Sequence, residues 1–303
     1  MRAIKAILRI FSLFSIVIAS MTIFFFVNRD DHLEIDNFYI SSSKIPIGVT
    51  KKIVQISDWH NHSLEYPDGK NILDEIDTVN PDYIFVTGDI VDDHTTQKDF
   101  DRLDEMYGHF FKKGYPVYYA DGNHEAATKI ETLMPKTHQI LSDNGVHILE
   151  NIDKDNKVFQ GISADLGNNI KVVGLADQGY TEDKGFHFER QFGNVEEQLK
   201  NLDQEVTDSS FNIMLSHRPE NFDLISKHSY DLTFSGHLHG GQVRLADWRM
   251  LVFSIPAPKY YDGKYDVDGK SIIVSRGLGT SYHAPFRYNC KPDLVCLTLT
   301  SSK

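Results

Sequence analysis

Cysteine is nearly absent from this chain, which has only Cys290 and Cys296 among its 303 residues. Two cysteines are too few for a disulfide framework, so a fold held together by disulfides is excluded. Both lie in what reads as one strand, where a rise of about 3.3 Å per residue would hold them about 20 Å apart, beyond disulfide reach. We therefore expect both thiols to be packing groups.

An excess of basic residues is also missing. The chain has 31 Lys and Arg against 43 Asp and Glu, which gives a formal net charge of -12 at pH 7. Binding to a nucleic-acid backbone depends on clustered Lys and Arg, so we predict no nucleic-acid partner. Repeats and low-complexity linkers are lacking too, and the composition of 41% hydrophobic and 24% charged residues is that of a globular protein.

Long uncharged runs are lacking except at the N-terminus, where residues 10–27 carry no charge. This length is at the lower limit for a membrane-spanning helix. Arg2, Lys5 and Arg9 precede the run, and such a basic flank favours a cytoplasmic N-terminus. A cleaved signal peptide is the alternative, although the run is longer than a typical h-region and no A-x-A site follows it.

These features predict a single-pass protein of the cell membrane with its folded domain outside the cytoplasm. The predicted organisation is a short basic cytoplasmic N-terminus at residues 1–9, a transmembrane anchor at 10–27, a juxtamembrane segment with an edge strand at 28–50, and one folded domain at 51–303. An anchored domain would meet molecules at the membrane surface.

Apolar runs alternate with helix-like stretches along that domain. Strands are predicted at residues 36–43, 51–57, 83–87, 115–120, 146–150, 171–175, 211–216, 230–234, 271–275 and 293–300, and helices at 70–80, 96–112, 126–144 and 195–206. Strands that alternate with helices favour parallel β-α units, and the strand-rich second half favours a second or mixed sheet. We expect an α/β fold, a two-layered mixed β-sheet sandwich flanked by helices.

Polar residues with metal-binding side chains follow five of the predicted strands. These residues are Asp58 and His60, Asp89, Asn123 and His124, His217, and the pair His237 and His239. Open α/β folds build their sites at the carboxyl ends of strands, so we expect these side chains to converge. In the last cluster glycines flank two imidazoles one residue apart, and glycine lets the backbone turn tightly beside a bound ion.

Taken together, the motifs resemble those of the calcineurin-like metallophosphoesterases, whose pattern runs D-x-H, G-D, G-N-H-E, H and G-H-x-H. The pattern is complete and in order here, as Asp58/His60, Gly88/Asp89, Gly122/Asn123/His124/Glu125, His217 and Gly236/His237/His239. Residues 215–219, 240–242 and 275–281 resemble more narrowly a membrane-associated bacterial branch with phosphodiesterases and enzymes that split lipid-linked sugar nucleotides.

The resemblance implies a site for two divalent metal ions. One ion would take Asp58, His60 and His239, the other would take Asn123, His217 and His237, and Asp89 would bridge both. Imidazoles, carboxylates and one amide oxygen without thiolate select manganese, iron or zinc, and disfavour calcium.

The resemblance also implies the reaction. A metal-bridging hydroxide would attack the phosphorus of a phosphate ester, and His124 would act as the general acid. We expect a phosphodiester or pyrophosphate substrate that is associated with the membrane or envelope. Lipid-linked substrates belong to this class. The alternatives are a phosphomonoesterase and a non-catalytic metal-bound interaction scaffold.

Two further residues, Glu125 and Arg287, keep more than one interpretation. Glu125 either orients the His124 ring or is a residue at a helix N-terminus favoured by the helix dipole. Arg287 either contacts phosphate oxygens or forms a surface ion pair. Asp92 and Asp93 are expected to lie in a solvated loop.

Overall fold

The computed structural model describes residues 2–27, 29–125, 133–153, 158–177, 180–183, 187–190, 195–244, 258–280 and 285–302. The helices in these ranges are α1 (Arg2–Val27), α2 (Ile72–Val79), α3 (Gln97–Lys113), α4 (Leu133–Asp143), α5 (Val195–Leu202) and α6 (Phe222–Ile225). The strands are β1 (Glu34–Ser42), β2 (Thr50–Ile56), β3 (Tyr83–Thr87), β4 (Val117–Ala120), β5 (His147–Ile148), β6 (Glu150–Asp153), β7 (Val158–Gly161), β8 (Ser163–Gly167), β9 (Ile170–Leu175), β10 (Tyr180–Asp183), β11 (His187–Arg190), β12 (Phe211–Ser216), β13 (Leu232–Ser235), β14 (Gly263–Val267), β15 (Lys270–Val274) and β16 (Asp293–Ser301).

Two six-stranded mixed sheets carry the fold. The first sheet has the order β1-β16-β2-β3-β4-β5, and its strands from β2 to β5 run parallel. The second sheet has the order β14-β15-β13-β12-β9-β8, with a parallel centre from β15 to β9. In each sheet, therefore, the carboxyl ends of the central strands lie along one edge.

The two sheets pack face to face around a shared apolar core. Alternate residues of β3 point to opposite sides, so Phe85 faces the second sheet while its neighbours Ile84 and Val86 face the helices. Phe85 meets Phe234 of β13 edge-on, with ring centroids 5.7 Å apart. Because both faces of the central strands are buried, their sequences are continuously apolar rather than alternating.

Helices cover the outer faces of the sandwich. Apolar residues of α2 and α3, such as Ile76, Leu103 and Phe110, join the core on the first sheet, and Leu199 of α5 packs on the second. The predicted two-layered sandwich flanked by helices is confirmed for the described residues.

The ends of α3 show why a helix forms there. Asp99 in its first turn accepts a hydrogen bond from the backbone N–H of Thr96, at 2.8 Å, as in a capping box. Lys112 and Lys113 occupy the last turn, and Gly114 ends the helix with a left-handed φ of 72°. The helix predicted at 96–112 is thus confirmed to within one residue at each end.

Most predicted elements match the structure with small changes in their bounds. The predicted edge strand at 36–43 corresponds to β1, which lies at the edge of the first sheet and pairs parallel with β16. The predicted helix at 126–144 is observed as α4, whereas its first part, residues 126–132, lies outside the described residues. Cys290 and Cys296 are buried free thiols as predicted, but Cys290 precedes β16 and does not share a strand with Cys296.

The predicted membrane anchor at residues 10–27 falls within α1. Side chains of residues 10, 21, 22, 25 and 26 in this stretch lie outside the described residues. Across the part of the chain that the structure describes, we find no helix with the length and apolar character needed to cross a membrane. The anchor is therefore not supported by the structure.

Candidate metal centre

Five strand ends bring the predicted site residues to one place. Asp58, Asp89 and Asn123 follow β2, β3 and β4 of the first sheet within three residues. His217 follows β12 directly, and His237 stands two residues after β13, both in the second sheet. The site therefore lies where the carboxyl ends of the parallel strands of the two mixed sheets meet.

The first group of side chains is Asp58, His60 and His239. The Nε2 atoms of His60 and His239 are 3.1 Å apart, and His239 Nε2 lies 3.6 Å from Asp58 Oδ1. One ligand-type atom from each residue falls within 4.8 Å of the others, and all three residues are buried. This spacing suits three ligands of a single ion.

The second group is Asp89, His217 and His237, with Asn123 beside them. His217 Nε2 lies 3.1 Å from Asp89 Oδ2 and 3.1 Å from Asn123 Oδ1. His217 Nδ1 faces the carbonyl oxygen of Thr87 at 2.6 Å, a hydrogen bond in which Nδ1–H donates. This bond fixes the ring so that Nε2 points into the group.

Asp89 of the second group also approaches the first group. Its Oδ2 atom lies 3.1 Å from His217 Nε2 and 3.7 Å from His60 Nε2, while Oδ1 accepts a hydrogen bond from the backbone N–H of His124 at 2.9 Å. Burial alone would raise the pKa of Asp89, but the neighbouring His217 and His124 hold it well below its ordinary value. Asp89 is therefore an ionised carboxylate between two sets of imidazoles.

The electrostatics of these residues fit divalent cations. Burial, reinforced by the neighbouring His124, lowers the pKa of His60 to about 3, and burial holds the pKa values of His237 and His239 well below the ordinary one. Neutral imidazoles offer the lone pairs that metals need. Four histidines, two aspartates and one amide oxygen without thiolate form a donor set of borderline character.

His217 shows the opposite shift. Burial lowers the pKa of His217, but the negative charge of Asp89 outweighs this effect and raises the pKa to about 10. The proton on His217 thus balances the Asp89 carboxylate. A divalent cation bound between these two side chains would take the place of that proton, as metal binding to histidine generally does.

The backbone at this site adopts conformations that non-glycine residues rarely take. Asp58, His60, Asp89, His237 and His239 have φ angles of 49°, 44°, 53°, 72° and 48°. Left-handed backbone of this kind costs on the order of 1 kcal/mol or more per residue and concentrates at functional sites. The strain serves to aim these side chains at a common centre.

Two glycines allow the close approach of the loops. A Cβ atom at Gly122 would overlap the Asp89 carboxylate, and one at Gly236 would overlap the side chains of Ser57 and Asp58. Any larger residue would push apart the loops that hold Asp58 and Asp89.

His124 stands beside both groups. Its Nε2 atom is 4.0 Å from Asp89 Oδ2, and its ring meets the His60 ring edge-on with centroids 4.8 Å apart. The His124 side chain is 36% exposed, whereas the His217 side chain is 0% exposed. Of these two histidines, His124 is the one that an entering molecule can reach.

Comparison with known proteins agrees with this geometry. The sequence profile of the family described as calcineurin-like phosphoesterase matches residues 51–241, more than half of the chain. The protein belongs to this family. Calcineurin-like phosphoesterases are hydrolases, and the clustered histidines and aspartates lie where the family resemblance predicts metal ligands.

Several bacterial phosphoesterases are similar to this chain. The uncharacterized metallophosphoesterase YkuE of Bacillus subtilis is 28% identical over 89% of this chain and 86% of its own length. The UDP-2,3-diacylglucosamine pyrophosphatase LpxG of Chlamydia trachomatis is 25% identical over 81% of this chain and 82% of its own length. The phosphodiesterase YaeI of Escherichia coli is 29% identical over 29% of this chain and 32% of its own length.

Glu125 has a role that neither predicted interpretation gives it. Its carboxylate accepts hydrogen bonds from the backbone N–H groups of Asp89, Ile90, Val91 and Gly122, at 2.8 to 3.2 Å. Glu125 therefore joins the loop after β3 to the loop after β4. This role replaces the interpretation of Glu125 as a partner of the His124 ring, whereas residues 126–132, which would form the helix after Glu125, lie outside the described residues.

Arg287 and Asp92 also differ from the sequence-based expectations. Arg287 is 1% exposed, and its guanidinium donates to backbone carbonyls such as that of Arg276, at 2.7 Å. It is thus neither a surface ion pair nor a phosphate contact, because its donors hold the loop from Arg276 to Gly279. Asp92 is buried and accepts from the backbone N–H of His94 at 2.8 Å, while Asp93 is exposed as predicted.

Sequence reasoning missed two residues that border the second group, Asp177 and Arg218. Asp177 follows β9, a strand that was not considered as a source of site residues, and Arg218 directly follows His217. An acidic residue after β9, a further parallel strand of the second sheet, was the signal that could have found Asp177.

Proposed function

We propose that this calcineurin-like phosphoesterase is a dinuclear metal-dependent hydrolase of phosphate esters. The observation that carries the proposal is the position of Asp89, whose Oδ2 atom lies within 3.7 Å of His60 Nε2 and 3.1 Å of His217 Nε2. A single carboxylate between two nitrogen-rich groups is the arrangement that a bridged pair of ions requires.

The residues that would hold each cation follow from the two groups. Asp58, His60 and His239 would bind one, Asn123, His217 and His237 would bind the other, and Asp89 would bind both. Manganese, iron or zinc suits these donors. When bound, two such ions supply an activated water and neutralise charge on the phosphoryl oxygens.

We assign to His124 the protonation of the leaving oxygen. Its Nε2 atom lies at the edge of the cluster, 4.0 Å from Asp89 Oδ2, and its side chain is partly exposed. A proton held at Nε2 can therefore reach an ester oxygen that enters from solvent. General acid catalysis of this kind contributes about 10² to 10⁴ in rate.

The substrate that we propose is a phosphodiester or a pyrophosphate, lipid-linked or otherwise associated with the envelope. LpxG, a relative that covers most of this chain, is named as a pyrophosphatase of a diacylated sugar nucleotide. Helix α1 also exposes large apolar side chains, among them Phe11, Leu13 and Phe14, each more than 60% exposed. An exposed apolar surface of this kind favours contact with apolar material such as lipid.

From the uncharged run of residues 10–27 and the basic residues before it, we also propose a single-pass protein of the cell membrane with its catalytic domain outside the cytoplasm. Residues 1–9 would lie inside, 10–27 would form the anchor, and 28–50 would connect it to the domain at 51–303. Fractionation with carbonate washing, followed by protease treatment of intact spheroplasts, tests this. Recovery of the full chain in the soluble cytoplasmic fraction would contradict it.

A substrate panel tests the function. Purified protein loaded with manganese or zinc is assayed on a phosphomonoester, a phosphodiester and a lipid-linked pyrophosphate, with Asp89→Ala as the control and metal content measured on the same samples. We expect two metal equivalents and the highest kcat/KM on the diester or pyrophosphate. A preference for the monoester would favour the phosphomonoesterase alternative, and no turnover above the control would favour a metal-bound scaffold.

A further inference from the structure

Next to the second group lies an ion pair between Asp177 and Arg218. Arg218 donates from Nε to Asp177 Oδ2 at 2.7 Å and from Nη2 to Asp177 Oδ1 at 3.2 Å. The side chain of Arg218 is 6% exposed and that of Asp177 is 1% exposed. A two-point contact of this kind fixes the plane of the guanidinium and so its direction.

The pair uses one edge of the guanidinium and turns another toward the proposed metal centre. Arg218 Nη1 lies 3.1 Å from His237 Nε2. The nearby carboxylate of Glu220 is 3.8 Å from Nη1, beyond hydrogen-bond distance, and its side chain is 46% exposed. His237 is therefore the near acceptor for Nη1 among these groups.

This contact with His237 is incompatible with a cation on the same ring. If Nε2 binds the cation, its lone pair is used for that bond. If Nδ1 binds the cation, the neutral ring carries its proton on Nε2. In both cases His237 Nε2 would no longer accept from Arg218, whose Nη1 would then face the place of the second cation.

An oxyanion is the ligand that satisfies this geometry. A phosphoryl oxygen bound at the second group would lie next to Nη1, and arginine binds phosphate through such charge-assisted hydrogen bonds.

We propose that Arg218 binds a phosphoryl oxygen of the substrate once the centre holds its cations, and that Asp177 is the positioning residue that holds Arg218 in place. The proposal rests on the proposed function for the identity of the substrate. It adds a substrate-binding residue to those that were given a role from the sequence.

Titration of inorganic phosphate into the manganese-loaded full-length protein tests this by calorimetry. Arg218→Ala is expected to weaken phosphate binding by about 10- to 100-fold, the range for loss of a hydrogen bond to a charged group, with metal content unchanged. Arg29→Ala is the matched control, because it removes the same charge from a pair with Asp31 at 2.7 Å on a side chain that is 44% exposed. The control should bind phosphate like the unmodified protein.

Two further variants separate binding from folding. Arg218→Lys keeps a charge that can pair with Asp177, so it should fold normally and bind phosphate with intermediate affinity. Asp177→Asn should raise KM with little change in kcat, because it disturbs contacts made equally in ground and transition states. Added guanidinium at millimolar concentration should restore part of the activity of Arg218→Ala.

Unchanged phosphate affinity in Arg218→Ala and Arg218→Lys would overturn the proposal. Loss of metal together with loss of phosphate would overturn it as well, since Arg218 would then support the metal centre. If phosphate binding depends on Arg218 while no ester is hydrolysed, this inference holds and the proposed hydrolase function fails. The two proposals are therefore tested separately.

Discussion

The two sheets contribute different chemistry to the centre. Loops after β2, β3 and β4 of the first sheet bring oxygen donors, namely Asp58, Asp89 and Asn123, together with His60. Loops after β12 and β13 of the second sheet bring only imidazoles among the proposed ligands, His217, His237 and His239. In the proposed assignment, neither sheet alone supplies all the ligands of one ion.

This division means that each proposed cation would join the two sheets. The first group combines Asp58 and His60 of one sheet with His239 of the other, and the second combines Asp89 with His217 and His237. Away from the centre, the sheets meet through apolar contacts such as that between Phe85 and Phe234. Bound cations would therefore add cross-links at the edge of a sandwich that its apolar core already holds together.

The loops of the two sheets are also held in different ways. On the first sheet, the Glu125 carboxylate gathers four backbone N–H groups of the loops after β3 and β4. On the second sheet, the backbone N–H of His237 donates to both oxygens of Asp58, at 3.0 Å each. The loop of His237 is thus tied directly to the Asp58 carboxylate of the first sheet.

The largest effect is expected from Asp89→Ala. The change removes the carboxylate shared by both groups, so kcat/KM should fall by at least about 10⁴-fold, beyond the 10- to 100-fold typical of residues that only support ligands. Steady-state kinetics and metal analysis measure this. Asp93→Ala, on the exposed part of the same loop, is the control. Equal activity in the two variants would contradict the bridging role of Asp89.

A smaller effect on rate is expected from His124→Ala. Because His124 donates a proton without holding a cation in this account, kcat should fall by about 10² to 10⁴ while metal content stays unchanged. His109→Ala serves as control, since His109 is half-buried and paired with Asp77 at 3.1 Å. Loss of a metal equivalent in His124→Ala would make His124 a ligand instead.

Glu125→Gln tests whether the first sheet positions the centre. The amide keeps the size of the side chain but places an NH₂ group against backbone N–H groups, so metal affinity should fall by about 10- to 100-fold. Metal titration followed by activity measures the change, with the exposed Glu105→Gln as control. Unaltered metal affinity would show that the loops keep their shape without Glu125.

The smallest effect concerns a link between the sheets that needs no cation. Asp293 at the start of β16 accepts from Ser275 Oγ at 2.7 Å and from the backbone N–H of Arg276 at 2.9 Å, just after β15 of the second sheet. Burial, only partly offset by Arg276, raises the pKa of Asp293 from 3.8 to about 6. The protonated carboxyl group is therefore favoured in the folded state.

The sign of the pH dependence follows. A carboxyl whose pKa is raised on folding contributes its full stabilisation below its unfolded pKa, and this contribution is lost as the pH rises through the folded pKa. Urea unfolding at about pH 4 and about pH 7 should show a loss on the order of 2 kcal/mol in the native protein that Asp293→Asn lacks. Parallel pH profiles of the two proteins would contradict this assignment.

Much of the fold could be predicted from the sequence because its central strands are buried on both faces. Continuous apolar runs such as those of β3 and β12 clearly indicate buried strands, and both strands match their predicted bounds. The edge elements β8 and β14 were not predicted, since half-exposed strands of mixed composition carry a weak signal.

The motif residues of the site were predicted, but the residues that position them were not. Motifs locate Asp89 and His217 because their spacing after strands is distinctive. Glu125 and Arg287 make their contacts with backbone groups, and Asp177 pairs with Arg218 some 40 positions away, which no local pattern encodes. Such contacts become visible only when the loops are placed in space.

Anomalous X-ray diffraction from crystals of the manganese-loaded protein tests the central claim most directly. The account predicts two peaks on either side of the Asp89 carboxylate, one beside Asp58, His60 and His239 and the other beside Asn123, His217 and His237. A single peak, or peaks contacted by loops of one sheet alone, would contradict it.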